Sequence, residues 1–227
     1  GHYTQTLSQK HISNIRPETS RDLGNGYKLW FGRANVDITY GQYLVHNIST
    51  GELADGPLPT NSPPLSLDTE LMWVTLPETH QGDTIRNLDV PLLEPTKHAE
   101  QDTGLTEPAR YTYAGGIHAA EHGVISLFPL RLLCDRADIG GVSTPLHPHT
   151  DQSTIFIYDG YPGGVGLTQR GYDRIEELMA RTARLIGGCD CADGCPSCVQ
   201  SPHCGNANDP LSKPEAVHLL DALTGNA

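Results

Sequence analysis

The sequence has no run of about 18 apolar residues, and no basic, apolar and small-residue leader opens it, so neither a membrane span nor a secretion route is indicated. A soluble, intracellular (cytoplasmic) protein with no membrane partner is expected. Positive charge is scarce: 15 Lys and Arg stand against 27 Asp and Glu, a formal charge of −12. Phosphate contacts need clustered Lys and Arg, so the chain alone is not a strong nucleic-acid binder, although it can contribute locally to a larger basic assembly. Both the G-x-x-x-x-G-K-[ST] phosphate loop and a D-E-x-H box are missing, which excludes ATP hydrolysis by that machinery. There is no initiator Met before the opening Gly1-His2, which resembles a cleaved tag. Residues 1–2 are read as that remnant and the chain as a fragment.

What is present bounds the fold. A chain of 227 residues buries a core without disulfide staples, and 24 Gly with 17 Pro call for many turns. From Tyr27 to Ile48 the residues are β-branched and aromatic, with Val36, Ile38 and Tyr40 alternating against Asp37 and Thr39 as in a half-buried strand. Residues 51–64 read as turns, 70–77 as another strand, and the proline-broken stretch from Pro77 to Arg110 as a long loop with one short helix at most. After Tyr111, Ile117, Glu121, Val124 and Phe128 fall at helical spacing, with Pro129 kinking that helix or opening the second of a pair. The stretch STIFIYDGYPGGVGL then reads as a buried strand and a glycine turn. Arg170 to Ile186 follows as an amphipathic helix with Ile175, Leu178, Met179, Thr182 and Leu185 inward. A last helix starts at SKPE, where Ser212 and Glu215 form a capping box, and runs to about Leu223. The expected class is α+β: a β-rich part over 3–110 and a helical part over 111–227, together one domain.

Five of the six cysteines crowd into GGCDCADGCPSCVQSPHC, residues 187–204, among Asp, Gly, Pro and Ser. Buried core cysteines sit singly in apolar runs, so this density points to bond chemistry. Cys189, Cys191, Cys195 and Cys198 place four thiolates close enough to surround one ion, and zinc accepts such a closed tetrahedral shell in a structural role. Cys204 is the alternate ligand, in place of Cys189. Disulfides suit small secreted domains, a redox C-x-x-C needs only two sulfurs, and an iron–sulfur cluster is not separated from zinc by spacing. The sixth, Cys134, reads as a buried helix residue.

The ordered segments GGIHAAEHG, YDGYPGGVGL and CDCADGCPSCVQSPHCGNANDPLSK resemble the C-terminal Zn-binding domain, MZB, of MrfA-type superfamily-2 DNA helicases, closely over about residues 111–224. That resemblance implies a non-catalytic accessory domain with zinc on Cys189, Cys191, Cys195 and Cys198. It implies partners in the same parent chain, namely two motor domains and a winged-helix domain, and contact with DNA through that ATP-driven, 3′-to-5′ repair helicase.

Other features have competing readings. The segment HAAEH, His118 to His122, matches the H-x-x-E-H pattern of inverted zinc proteases, with Glu121 polarising water and Glu176 as a further ligand, so a stand-alone metal hydrolase is the alternative function. The favoured reading has His118 and His122 hydrogen-bonding to neighbouring loops, in which case His118→Ala leaves zinc stoichiometry unchanged. A zinc-stabilised protein-interaction module is a third possibility. PGGVG, residues 162–166, is a tight turn in preference to a nest for a DNA phosphate. Arg170, Arg174, Arg181 and Arg184 recur at helical spacing and are the candidate phosphate contacts, although Glu177 lies at pairing distance. Trp30 and Trp73 are taken as core residues ahead of base-stacking ones.

Overall fold

The computed structural model describes residues 1–77 and 107–225. Two long strands open it: β1 (His2–Gly24) and β2 (Tyr27–Asn47) form an antiparallel hairpin. Its turn runs through Gly24, Asn25 and Gly26, all with positive φ (88°, 52° and 83°), which glycine and asparagine adopt at least cost. Strand β3 (Leu53–Pro59) pairs with the far part of β2, and β4 (Leu65–Thr75) pairs with β2 in continuous register from Lys28↔Thr75 to Ile38↔Leu65. Strands β5 (Ile139–His147) and β6 (Gln152–Asp159) complete one antiparallel sheet of order β1-β2-β4-β6-β5, with β3 beside β2.

Period-two alternation divides the apolar residues between the two faces of this sheet. Tyr27, Leu29, Phe31, Met72, Val74, Ile155 and Ile157 point toward the helices, while Val36, Leu71, Trp73, Phe156 and Tyr158 join Ile12 and Ile15 in a second cluster opposite. Trp30 and Trp73 stack 5.9 Å apart there, Trp73 buried and Trp30 half-buried, as core residues.

Four helices cover the first face: α1 (Glu107–Leu132), α2 (Leu167–Tyr172), α3 (Ile175–Gly187) and α4 (Lys213–Thr224). Glycine is a poor helix former, yet α1 contains Gly115, Gly116 and Gly123. Packing explains them. A Cβ on Gly115 would lie 2.8 Å from the Leu211–Ser212 backbone, one on Gly116 would strike Glu215, and one on Gly123 would strike Thr182 and Ile186. The glycines let α4 and α3 approach the α1 backbone, which aligns the cysteine loop between α3 and α4 against it.

Several expectations change. Residues 111–141 hold one α-helix and a single 3-10 turn (Arg136–Asp138), not a helical pair: Pro129 falls within the last turn of α1, which ends three residues later, and the following IGG begins β5. The helix expected over Arg170–Ile186 is two, α2 and α3, interrupted at Asp173 and Arg174. The inward face of α3 uses Ala183 and Ile186 instead of Leu185, which is 36% exposed. Within the stretch read as turns lies β3, and β1 had no expectation at all. The loop expected from Pro77 to Arg110 falls mostly outside the described residues, and α1 begins before its end. Of the capping box read at α4, the structure shows the Ser212 half, its Oγ accepting from the Glu215 N–H at 3.4 Å.

Candidate metal centres

Helix α3 ends at Gly187 and Gly188, and the chain then turns back on itself. Gly194 takes φ of 112°, and a Cβ there would lie 2.4 Å from Val199 Cγ2, so only glycine fits. The Cys195 carbonyl accepts from the backbone N–H groups of Cys198, Val199 and Gln200 at 3.0–3.1 Å, closing a tight knuckle around Pro196. The consequence is convergence of sulfurs. Cys189 Sγ lies 3.6 Å from Cys195 Sγ, Cys191 Sγ 3.5 Å from Cys198 Sγ, and Cys195 Sγ 3.7 Å from Cys198 Sγ; all four lie within 4.8 Å of one another. Four sulfurs about 2.3 Å from a central zinc sit about 3.8 Å apart along a tetrahedron's edges, so the set fits that ion.

The surroundings suit a charged thiolate cluster. The Cys195 backbone N–H donates to Cys198 Sγ at 3.3 Å, and Lys213 Nζ, at the start of α4, donates to the carbonyls of Cys189 and Cys191 and lies 3.6 Å from Cys191 Sγ. A zinc ion with four thiolates carries a net −2, which this ammonium group offsets. The Ser197 N–H draws the Cys195 thiol down to about 7, whereas burial pushes that of Cys198 up to about 12. Of the loop's apolar residues, Val199 and Cys198 are fully buried, so hydrophobic contact alone gives the loop little hold.

Cys204 does not lie in this set. It is buried with His118 and His122, and one donor atom from each lies within 4.8 Å of the others. His118 Nε2 is 3.3 Å from Cys204 Sγ. His118 Nδ1 donates to the Pro210 carbonyl at 2.8 Å and His122 Nδ1 to the Val199 carbonyl at 2.7 Å, so both histidines reach neighbouring loops as the favoured reading had it. Burial opposes ionisation of the Cys204 thiol, but hydrogen bonds from both histidines, with their charge, bring it down to about 5. Burial also opposes charge on His118, yet the bond to Cys204 and the nearby Glu121 carry it up to about 9. Glu176, the further ligand that this pattern would use, instead pairs with Arg21. The ligands required by a hydrolase of the H-x-x-E-H type are therefore not assembled.

The remaining candidates are dispersed. Arg170 donates to the Gly166 and Leu132 carbonyls, Arg181 pairs with Glu177 at 2.9 Å, and Arg174 caps α3; Arg184 is exposed in the last turn of that helix. The glycine turn is a nest already filled: Asp159 accepts from the N–H groups of Val165, Leu167 and Thr168 at 2.7, 3.1 and 2.8 Å, and Glu70 from Gly166 at 3.1 Å. Cys134 lies just past α1, half-buried, and not inside a helix.

Residues 120–199 match the model of the MrfA Zn-binding domain family, MZB. Protein MJ1572.1 of Methanocaldococcus jannaschii is 38% identical over 110 residues, 47% of this chain and 98% of the relative. The ATP-dependent helicase YprA of Bacillus subtilis is 42% identical over 98 residues, 43% of this chain and 13% of the helicase. The crystal structure of DUF1998 helicase MrfA bound to DNA superposes with a TM-score of 0.57 at 25% identity, covering 98% of this chain and 26% of that one. The chain thus spans about a quarter or less of the helicases it matches. None of its described helices is long and apolar enough to cross a membrane.

Proposed function

Because the chain belongs to the MrfA Zn-binding domain family, we propose that it is the non-catalytic, zinc-stabilised accessory domain of an ATP-dependent DNA helicase. In this reading it helps to close and shape the DNA path beside motor and winged-helix domains of the same parent chain. The observation that carries it is the superposition of 98% of the chain on a helicase bound to DNA, with four sulfurs placed at tetrahedral spacing. Cys189, Cys191, Cys195 and Cys198 hold the zinc. Bound there, the ion supplies a cross-link and no open coordination position for chemistry.

The rest follows from this chain's own residues. The knuckle fixes the exit of α3 and the start of α4, and Lys213 and His122 tie it to α4 and α1. A surface built on this frame keeps its shape while a motor pulls DNA past it. The charge of −12 agrees with a domain that guides a strand whose phosphates are held mainly elsewhere. Arg174 and Arg184 are the candidates for what phosphate contact it makes, since Arg170 and Arg181 have partners within the chain.

The test uses a parent chain with its motor domains. Cys191→Ser combined with Cys198→Ser is expected to preserve DNA-stimulated ATP hydrolysis while slowing 3′-to-5′ unwinding by about tenfold or more, the scale of loss when a metal site's support is removed. Wild-type unwinding by a zinc-free double variant refutes the reading.

A further inference from the structure

The fifth clustered cysteine has a different set of neighbours from the other four. We propose that His118 Nε2, His122 Nε2 and Cys204 Sγ form a second metal site, for a zinc-class divalent ion, in addition to the four-cysteine centre.

Tautomer geometry is the first support. A carbonyl oxygen only accepts, so both Nδ1 atoms, bonded to the Pro210 and Val199 carbonyls, carry their protons. In neutral imidazoles that leaves both Nε2 lone pairs free, and one donor atom of each histidine converges with Cys204 Sγ within 4.8 Å. A ligating histidine is held in this way, its outer nitrogen fixed by a carbonyl so that the inner one faces the ion. The rings lie 4.3 Å apart between centroids, both buried, where two imidazolium ions would repel each other in a poorly solvated space. One doubly charged ion satisfies both nitrogens and the sulfur together.

The sulfur is prepared as an acceptor. The N–H groups of Asn206 and Asn208 point at Cys204 Sγ from 3.4 and 3.3 Å, and Asn208 is itself clamped to Ser201 through its side chain. The 3.3 Å from His118 Nε2 to Cys204 Sγ is near the edge of about 3.6 Å expected for a tetrahedron with zinc–nitrogen and zinc–sulfur bonds of about 2.1 and 2.3 Å. Two imidazoles and a thiolate select zinc over the oxygen-seeking magnesium and calcium ions. All three residues border an open cleft of about 830 Å³ that also touches β1 and β5, which leaves the fourth position to water. The ion would join α1 to the 199–210 segment, and Gln5 reaches the Cys204 carbonyl at 3.4 Å, extending the link to β1.

The whole chain, purified reduced with excess zinc and then desalted, is analysed by elemental measurement and by X-ray absorption at the zinc edge. Two zinc ions per chain are expected, sharing five sulfurs, so that the averaged shell contains about 2.5 sulfurs and one histidine nitrogen per ion. Cys204→Ser and His118→Gln, the latter keeping a donor for the Pro210 carbonyl, should each leave one zinc in a shell of sulfur alone, contrary to the unchanged zinc count expected from the sequence for a His118 substitution. A single zinc with four sulfurs in the unaltered chain overturns the proposal and makes His118 and Cys204 an imidazolium–thiolate pair. Two zinc ions retained by Cys204→Ser overturn it as well. Because the first measurement is made on the unaltered chain, misfolding of a variant does not rescue the idea.

Discussion

Stripping zinc from the four-cysteine centre should destabilise the whole domain, and the size can be worked out. Only Val199 and Cys198 of that loop are fully buried, yet the loop positions both the end of α3 and the start of α4, so its collapse exposes the helical face of the core. The lower end of structural zinc binding, about 10 kcal/mol, corresponds to a Kd of about 50 nM. At about 10 µM free zinc the ion is then about 200-fold above Kd and contributes about 3 kcal/mol to folding stability. For a chain of this size each kcal/mol moves Tm by about 2–4 °C, so the expected fall is about 6–12 °C. Thermal unfolding followed by circular dichroism, with and without chelator, reads this directly. Cys204→Ser should keep the part of the fall that belongs to the four-cysteine centre, because that centre is intact, and lose only what the second ion adds. Cys134→Ser, outside the module and half-buried, should shift Tm by no more than about 2 °C. A chain proven metal-free by elemental analysis, yet melting within about 2 °C of the zinc-loaded form, would refute the architectural role.

Three further outcomes follow from individual contacts. Gly115→Ala introduces a better helix former but drives a methyl into the Leu211–Ser212 backbone, so urea denaturation should show a net loss of about 1–2 kcal/mol. Asp159→Ala leaves three N–H groups of the glycine turn without their carboxylate, two of them buried, and should cost about 3 kcal/mol or more by the same assay. Arg21 joins β1 to the α2–α3 junction through Glu176 and the Tyr172 carbonyl. Its hydrogen bond holds the Glu176 carboxyl below the ordinary 4.5. A depressed carboxyl contributes stability that is present above its unfolded value and lost as pH falls through the lower folded one, so Arg21→Ala should remove an increment that is full above about pH 4.5 and fades as pH falls below it. Both side chains are more than a third exposed, so that increment is screened to under about 1 kcal/mol. An unchanged acid limb in chemical denaturation of Arg21→Ala contradicts the assignment.

What could be read before the structure was what the chain encodes locally. The knuckle is an example: four sulfurs within ten residues, Gly194 to turn the backbone and Pro196 to stiffen it leave few other chemistries. Strand β2 declares itself through alternation, β4 and β6 through short apolar runs, and α4 through its cap. Strand β1 does not, because Ile12 and Ile15 are its only fully buried aliphatic residues, and it exists by pairing with β2. Strand β5 was hidden by Gly140 and Gly141, which signal a turn in sequence. In space they are gaps that admit the Tyr158 ring and the Glu121 side chain, which a Cβ would strike. The break between α2 and α3 was hidden because the helical period carries across it.

The same distinction decides Cys204. Chain proximity groups it with the four other cysteines, and the H-x-x-E-H pattern groups the histidines with Glu121 and Glu176. Folding regroups both, because the glycine-lined packing of α1 brings His118 and His122 under the 199–210 segment while Arg21 engages Glu176. Two clues were already in the sequence: one cysteine more than a tetrahedral shell needs, and two histidines four apart on one helical face. Neither says that they meet. A leftover soft ligand beside a complete metal motif is therefore best matched to an unexplained histidine pair, and zinc counting on Cys204→Ser tests that match directly.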